Sequence, residues 1–369
     1  RFSVAELVES PPPMDFVVAP ILPTGCASIL TGAGGTSKTG LATLASISIC
    51  TGMELFGEPV DVGRVLYISA EDRRAILRRH VWANSRGLTD IQRKRIADNL
   101  HVKDCVGSGF KLTRHIDGQT ETAIDVGQLI EYAQDIEGLR LVVFDTLSRL
   151  HGGEENNEDL SRFIEAMERV SVQTGAATLA LHHSGKAQTR ADANDQYAGR
   201  GGSALSDNAR SVLHLARVTA DNPGAPCNAA DLIAQGRLLR LSHVKSNYAA
   251  PAPDRYLERI VTPYAAQLVP FRAEFGSDDA SETWRRIATW LASQTEVPYP
   301  TTSTVDTLPP EFGSRSERRR AIAWAEDRGQ VREVPHPEPK GRRKTYLALA
   351  EVPSAEDSAE AYRRASNGE

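Results

Sequence analysis

A glycine-rich turn between an apolar strand and a helix constrains this 369-residue chain more than any other feature. Residues 29–39 read ILTGAGGTSKT, and apolar residues recur at helical spacing after them. Glycines let backbone N–H groups approach phosphate oxygens closely, and the positive end of a helix dipole stabilises an anion. The pattern favours a site for a nucleoside triphosphate, and the alternative is a glycine-rich turn that binds no nucleotide.

Individual residues of this phosphate loop (residues 32–39) have expected tasks. Lys38 would reach the β- and γ-phosphates, and the hydroxyl of Thr39 would hold Mg²⁺. Ser37 stands where such loops usually have glycine, so the detailed conformation of the loop is open. The residues expected to bind the nucleotide are Gly32, Gly34, Gly35, Thr36, Ser37, Lys38 and Thr39.

Composition argues against several classes of protein. Lysine and arginine number 43 against 48 acidic residues, a net charge of −5, so nucleic acid would be contacted through local patches or a channel formed by assembly. No apolar run approaches the ~20 residues that span a bilayer, so we expect no membrane contact. Cysteine spacing indicates neither zinc nor disulfides and fits a reducing cytoplasm, the cysteines being Cys26, Cys50, Cys105 and Cys227.

Strand and helix signals alternate from about residue 26 to about 182, which predicts an α/β fold with a mainly parallel, helix-flanked sheet. Residues 64–69, 141–144 and 177–181 are typical of buried strands, and 124–136 is typical of a helix. The same signals predict helices through 76–81 and over 160–170, the second ending at Gly175, and strands at 211–215 and 238–241.

A composition shift near Gly276 separates a second region, where two helical patterns precede two short strand patterns around a Pro/Lys/Arg-rich turn. This order suggests a small winged-helix-like domain. Residues 315–344 carry ten cations against five acidic residues, which suits a phosphate backbone, and a solvated helix face is the alternative. We therefore predict a nucleotide-binding domain over 1–275, a basic winged-helix-like domain over 276–350 and a polar tail over 351–369.

Two carboxylates follow predicted strands. Asp145 ends an apolar run, where a second Mg²⁺-associated carboxylate is placed in phosphate-loop enzymes, or where an aspartate caps a turn. Glu71 and Asp72 are adjacent and cannot both face a nucleotide. Asp72 is well placed to N-cap the next helix, and Glu71 is the better candidate for polarising an attacking water, with a structural role as the alternative.

His182 and His183 follow the strand predicted at 177–181, and neighbouring residues of a strand point to opposite faces. Joint metal ligation is therefore not expected. One histidine is a structural candidate, and the other would sense the γ-phosphate and couple it to the following loop. That loop, 184–204, is either a solvated surface or a nucleic-acid contact that lines a central channel, with Lys186, Arg190 and Arg200 as candidates.

Arg210 and Lys245 lie far along the chain from the phosphate loop, beside predicted strands. A cation supplied across a subunit boundary can stabilise the charge of a transferring phosphoryl group. Surface arginine and lysine are also ordinary, so local sequence leaves both interpretations open.

The ordered set of motifs resembles the RepA-type plasmid replicative helicases, which belong to the RecA-like, ring-forming ATPases. The resemblance covers roughly residues 10–260 and is more specific than any single motif. It is carried by PPPMDFV at 11–17, GGTSKT at 34–39, VLYISAED at 65–72, FDTLSR at 144–149, LHHSGK at 181–186, RGGSALSDNAR at 200–210 and KSNYAAP at 245–251.

The resemblance implies a RecA-like core, a homohexameric ring that hydrolyses ATP with Mg²⁺ at subunit boundaries, and movement along single-stranded DNA. Residue by residue, it makes Glu71 the catalytic carboxylate and Asp145 the Mg²⁺-side aspartate. It makes His183 the γ-phosphate sensor and Arg210 the finger that reaches a neighbouring subunit, with Lys245 assisting in trans. The basic region after 276 lies outside the matched part, and duplex DNA or a protein is its expected partner.

The sequence thus predicts a DNA helicase of plasmid, phage or mobile-element replication. One alternative is a recombination, repair or loading ATPase of the same fold that does not unwind DNA. Another is a DNA-binding regulator in which ATP only switches assembly. The helicase interpretation leads because a complete set of hydrolytic residues would be superfluous in a passive switch.

Overall fold

A sheet of nine strands forms the centre of this computed structural model, which describes residues 2–3, 7, 10–183, 204–219, 225–274, 279–293, 308–312, 315–327, 330–335 and 345–349. The strand order is β13-β12-β11-β10-β3-β9-β8-β4-β5. The strands are β1 (Phe16–Val18), β2 (Leu22–Pro23), β3 (Ala27–Gly32), β4 (Arg64–Ser69), β5 (Leu100–Asp104), β6 (Thr113–Ile116), β7 (Gln119–Thr122), β8 (Leu139–Asp145), β9 (Ala177–His183), β10 (Ser211–Arg217), β11 (Leu238–Ser246), β12 (Arg255–Val261), β13 (Ala266–Phe271), β14 (Val331–Pro335) and β15 (Thr345–Leu349).

Ten α-helices accompany these strands within the described residues. They are α1 (Lys38–Thr51), α2 (Arg74–Asn84), α3 (Asp90–Asn99), α4 (Asp125–Gln134), α5 (Leu147–Leu150), α6 (Asn157–Thr174), α7 (Ala204–Asn208), α8 (Ala230–Ala234), α9 (Asp279–Ser293) and α10 (Arg315–Asp327). Among the residues that the structure describes, no helix has both the length and the apolarity needed to cross a bilayer.

Six neighbouring strands of the sheet, from β10 to β5, pair in parallel, and β11, β12 and β13 extend it in antiparallel fashion. The helix-bearing crossovers between parallel strands produce the alternation seen in the sequence. The protein is therefore an α/β protein with a mostly parallel sheet. Strand β9 lies between β3, which leads into the phosphate loop, and β8, which ends at Asp145.

Side chains alternate along the central strands, so that two apolar layers enclose the sheet. Ile29 and Phe144 face a cluster formed with helices α4, α5 and α6. Leu30 and Val143 face the opposite cluster, which contains α1, α2 and the small β1–β2 sheet. Burial on both faces explains why these strands are continuously apolar in the sequence.

The chain divides into two compact units, one formed by Arg1–Val218 and Asp231–Arg272, the other by Thr219–Ala230 and Ala273–Glu369. In the second unit, α9 and α10 share an apolar cluster that includes Trp284, Ile287 and Ala321. Strands β14 and β15 pair in antiparallel register. Helix, helix and hairpin follow in the predicted order; the predicted tail over 351–369 lies outside the described residues.

The central strands and most of the long helices of the first unit were predictable, and several peripheral elements were not. The predicted helix over 160–170 is α6, which ends at Gly175 with a φ of 72° that suits glycine. Sequence analysis missed helix α3, the hairpin β6–β7, the edge strands β5 and β13, and strand β12 beside β13. Strands β5, β12 and β13 are only partly buried, so their sequences lack the continuous apolar run that marks a fully buried central strand.

A buried histidine lies beside the phosphate-loop strand. His214 of β10 is hydrogen-bonded through Nδ1 to the Thr31 hydroxyl at 2.8 Å. Burial, and to a lesser degree Arg240 and then Lys38, lowers the pKa of His214 from 6.5 to about 4. The folded protein therefore holds this ring neutral in a pH range where the unfolded chain would protonate it.

Stability should consequently fall as pH decreases from about 6.5 toward 4, because the unfolded state then binds the additional proton. Between about pH 7.5 and about pH 5.5, the unfolding free energy of the parent should fall by about 1 kcal/mol more than that of His214→Asn. The asparagine keeps a hydrogen-bonding atom near the position of Nδ1. Urea unfolding at both pH values measures this difference. Exposed His115 on β6 supplies the control, His115→Asn, and equal acid sensitivity in all three proteins would contradict the prediction.

Candidate functional site

The phosphate loop crosses from the end of β3 to the start of α1 in a conformation set by a few close contacts. A Cβ at Gly32 would stand 2.5 Å from the carbonyl oxygen of Leu215, so only glycine fits there. Gly35 has a φ of 74°, a left-handed value that glycine adopts without strain. The Thr36 hydroxyl closes the turn by donating to the carbonyl oxygen of Ala33 at 2.8 Å.

Lys38 opens α1 and folds back into the loop. Its Nζ donates to the carbonyl oxygens of Gly32 and Ala33, at 2.8 and 3.0 Å. The residue is only 6 % exposed, and burial lowers the pKa of its ammonium group from 10.5 to about 8, against the opposing charges of Asp145 and Glu71. A partly desolvated cation at the mouth of a glycine-rich loop is suited to a phosphate anion.

Asp145 is the most buried carboxylate of the site, with 2 % exposure at the end of β8. Its Oδ2 accepts hydrogen bonds from the Thr39 hydroxyl at 2.9 Å and from the Tyr67 hydroxyl at 2.7 Å. Burial raises its pKa from 3.8 to about 6, although both hydrogen bonds act in the opposite direction. Burial likewise holds the pKa of Tyr67 well above 10, so its hydroxyl stays protonated and donates.

Sequence analysis missed Tyr67. It occupies a fully buried position in β4, between aliphatic neighbours. A tyrosine inside an aliphatic strand is a signal that its hydroxyl has a buried partner, but the sequence does not say which one.

The oxygen atoms of Thr39 and Asp145 fit a Mg²⁺ ion. They are hard donors held 2.9 Å apart beside the phosphate loop, and Mg²⁺ characteristically binds one or two protein oxygens together with substrate phosphates and water. Within the described residues there is no cluster of three His, Cys, Asp or Glu side chains that would hold a metal by itself. The arrangement therefore suits a metal that arrives with a nucleotide.

His183 connects the phosphate loop to Glu71. The Lys38 Nζ donates to His183 Nδ1 at 3.2 Å, so in the neutral ring Nε2 carries the proton, and Nε2 lies 3.5 Å from Glu71 Oε2. The hydrogen bond between His183 and Glu71 is the main reason why the pKa of Glu71 is lowered. His182, the preceding residue, is buried on the opposite face of β9, as the alternation of a strand requires.

Glu71 is held at the level of Asp145 by the backbone. The N–H groups of Ala70 and Glu71 donate to the carbonyl oxygen of Asp145, at 2.6 and 3.3 Å. Side chains of Lys38, Thr39, Glu71, Asp145 and His183 thus converge at the carboxyl ends of parallel strands, where ligands bind in open α/β sheets.

The prediction that Asp72 caps the next helix is wrong. Arg73 is the N-cap residue of α2, and the Asp72 carbonyl oxygen instead accepts from the Ser69 hydroxyl. The Arg74 N–H donates at 2.9 Å to Asp104, the last residue of the neighbouring strand β5. The carboxylate of Asp104, which the tertiary fold brings to the start of α2, therefore caps this helix in place of Asp72.

Arg210 and Lys245 lie at the opposite end of the sheet from this site. The Arg210 N–H donates to the carbonyl oxygen of Ala27, at the beginning of β3, whereas the phosphate loop follows the end of that strand. The Arg210 guanidinium lies 3.4 Å from Glu168, and Lys245 Nζ donates to the carbonyl oxygens of Ser206 and Asp207. Neither side chain takes part in the phosphate site of its own chain.

The predicted DNA contacts Lys186, Arg190 and Arg200 lie outside the described residues. Two further arginines, absent from the sequence-based list, touch the phosphate loop from the sheet. Arg217 donates to the carbonyl oxygen of Gly35 at 3.1 Å, and Arg259 donates to the Ser37 hydroxyl at 2.9 Å. No motif surrounds either residue, so only the strand pairing identifies them.

Tyr67→Phe should destabilise the nucleotide-free protein by about 2 kcal/mol, because it removes one donor from a buried carboxylate and leaves that charge less satisfied. Urea unfolding near neutral pH measures the change. Tyr132→Phe on the exposed side of α4 is the matched control, and an equal loss in the two variants would show that the hydroxyl of Tyr67 does not support Asp145.

Comparison with known proteins relates the chain to a family. A solved structure, the "ATPase Domain of G40P", superposes with a TM-score of 0.47 and 12% sequence identity, over 66% of this chain and 84% of that one. The model of the family described as "AAA domain" matches residues 1–189, just over half of the 369 residues. That part contains the phosphate loop, Glu71, Asp145 and His183. The chain therefore belongs to the AAA domain family and is a P-loop ATPase.

Proposed function

We propose that this protein is an ATP-dependent DNA helicase that assembles as a homohexameric ring and works in the replication of a plasmid, phage or other mobile element. The observation that carries the proposal is the separation of the hydrolytic residues between two ends of one sheet. Lys38, Glu71 and Asp145 lie at one end, and Arg210 lies at the other. The backbone N–H of Arg210 donates to the carbonyl oxygen of Ala27 at 2.9 Å. A site that needs all of them is completed by a second subunit.

Nucleotide binding would begin with the loop and Lys38. The backbone N–H groups around Gly34 and Gly35 and the start of α1 favour the phosphate oxygens, and the phosphate charge raises the pKa of the Lys38 ammonium group again. Thr39 and Asp145 would hold Mg²⁺, which supplies positive charge to the phosphate oxygens. The Lys38 ammonium group would then donate to phosphate oxygens instead of to the carbonyl oxygens of Gly32 and Ala33 and to His183.

Hydrolysis would depend on Glu71 as the group that orients the attacking water. Its carboxylate is the acceptor nearest to His183 Nε2, and its lowered pKa keeps it ionised and able to accept a proton from water. When Lys38 turns to the γ-phosphate, His183 Nδ1 loses its donor and can respond to the phosphate. His183 ends β9 and is followed directly by the predicted DNA loop, so the state of the phosphate would be transmitted along the chain.

Charge that develops on the transferring phosphoryl group would be stabilised by Arg210 of an adjacent subunit, with Lys245 assisting. Lys186, Arg190 and Arg200 would contact single-stranded DNA in the centre of the ring. The basic residues after 315 would contact duplex DNA or another protein.

A recombination, repair or loading ATPase is the second candidate, because the same hydrolytic residues serve enzymes that do not separate strands. A regulator in which ATP only switches assembly is the third. Glu71 and Arg210 favour the first two candidates, since a switch needs neither a water-orienting carboxylate nor a finger.

Strand separation distinguishes these candidates. Purified protein should unwind a forked DNA with ATP and Mg²⁺, and Lys38→Ala should abolish both unwinding and ATP hydrolysis, because the loop then lacks its phosphate-binding cation. DNA-stimulated hydrolysis without unwinding would move the assignment to the repair or loading ATPase. If neither activity appears, the switch is favoured.

The trans role of Arg210 has its own test. Arg210→Ala should bind ATP like the parent and lose most hydrolysis. Mixing Arg210→Ala with Lys38→Ala should restore activity, because about a quarter of randomly formed interfaces would combine an intact loop with an intact finger. Hydrolysis rates of the two variants, alone and mixed, measure this. An inactive mixture of co-assembled subunits, or an Arg210→Ala variant with the parental rate, would rule out the trans finger.

A further inference from the structure

The residue that replaces glycine in the phosphate loop has an unusual conformation. Ser37 has a φ of 68° and a ψ of 35°, in the left-handed region that residues with a Cβ rarely adopt. It precedes α1 as the N-cap residue, yet its side chain makes no capping hydrogen bond to the described first turn of the helix. The N-cap hydrogen bond that usually stabilises serine at the start of a helix is therefore missing, and another contact must hold this conformation.

Arg259 makes that contact from the antiparallel part of the sheet. Its Nε donates to Ser37 Oγ at 2.9 Å. Arg217 donates to the carbonyl oxygen of Gly35 at 3.1 Å, so two guanidinium groups hold the same loop two residues apart. Burial, followed by the charge of Arg217, lowers the pKa of Arg259, which agrees with two cations placed close together against the loop.

The backbone of Arg259 is itself fixed relative to α1. Its N–H donates to the carbonyl oxygen of Arg237 at 2.8 Å, and it pairs with Leu268 of β13. The Leu268 N–H donates at 2.9 Å to Asn84, whose amide donates at 3.0 Å to the carbonyl oxygen of Gly40. Strands β12 and β13 are thus tied to the first turn of α1, which gives the Arg259 side chain a firm base.

We propose that Arg259 is a positioning residue for nucleotide binding, matched to Ser37. It holds the serine in the left-handed conformation, so that the N–H groups of the phosphate loop stay directed at the phosphates. Glycine at position 37 would adopt this conformation unaided, whereas serine needs its hydroxyl and Arg259 together. This inference rests on the nucleotide site proposed above and adds to it a dependence on a strand outside residues 1–189, the part matched by the family model.

A mutant cycle tests the pairing by measuring the affinity for a fluorescent ATP analogue with Mg²⁺. Arg259→Ala and Ser37→Ala should each weaken binding about tenfold, and the double variant should be no weaker than either one, because both remove the same charge-assisted hydrogen bond. In a Ser37→Gly background, Arg259→Ala should change the affinity less than about twofold, since glycine needs no support at this φ.

The cycle separates positioning from direct contact with the nucleotide. If Arg259→Ala weakens binding equally in the serine and glycine backgrounds, Arg259 is a phosphate ligand and the proposal is overturned. If Arg259→Ala leaves the affinity unchanged in the serine background, the contact is irrelevant and the proposal is overturned as well. Failure of the parent itself to bind the analogue would instead reject the proposed nucleotide site.

Arg255→Ala is the matched control, because Arg255 lies on the same strand and pairs with Glu58 at 2.5 Å. It should leave the affinity unchanged, and thermal unfolding should show all variants folded. If Arg259→Ala does not fold, the cycle is repeated with Arg259→Lys, which keeps the charge but not the Nε donor. Amide hydrogen exchange over residues 32–39 should rise in Arg259→Ala and return toward the parental rate in Ser37→Gly/Arg259→Ala; no such return would overturn the proposal.

Discussion

The rest of the site depends on the hydrogen bonds made by Asp145, whose carboxylate is buried. It ends β8 with 2 % exposure and receives hydrogen bonds from α1 through Thr39 and from β4 through Tyr67. Its carbonyl oxygen accepts the N–H groups of Ala70 and Glu71. One residue therefore fixes the relative positions of the phosphate loop, Thr39 and Glu71, and the hydrogen-bond donors around it offset the free-energy cost of burying its carboxylate.

The side chains of the phosphate site contact one another. Lys38 donates to its own loop and to His183, and His183 faces Glu71, so each group that would meet ATP already has a partner in the protein. Binding would exchange these partners rather than order free side chains, which keeps the site preorganised. In the function that we propose, the same exchange would link the γ-phosphate to the end of β9.

The antiparallel strands extend this organisation across the sheet. Arg217 and Arg259 reach the phosphate loop from β10 and β12, while Arg210 and Lys245 occupy the far end of β10 and β11. A single set of strands therefore supports the chain's own loop at one end and presents cations at the other. This arrangement agrees with a site shared between subunits, as we propose for the hydrolytic ring.

The sequence by itself determined the phosphate loop, the strands that bury both faces, and the candidate roles of Lys38, Thr39 and Asp145, because glycine spacing and apolar runs are local properties of the chain. Only the tertiary structure decided that Tyr67 supports Asp145, that Asp104 rather than Asp72 caps α2, and that Arg259 reaches Ser37, 222 residues away. Partners of this kind are brought together by strand order and register, and a contact between distant residues leaves no period in the sequence that would reveal it.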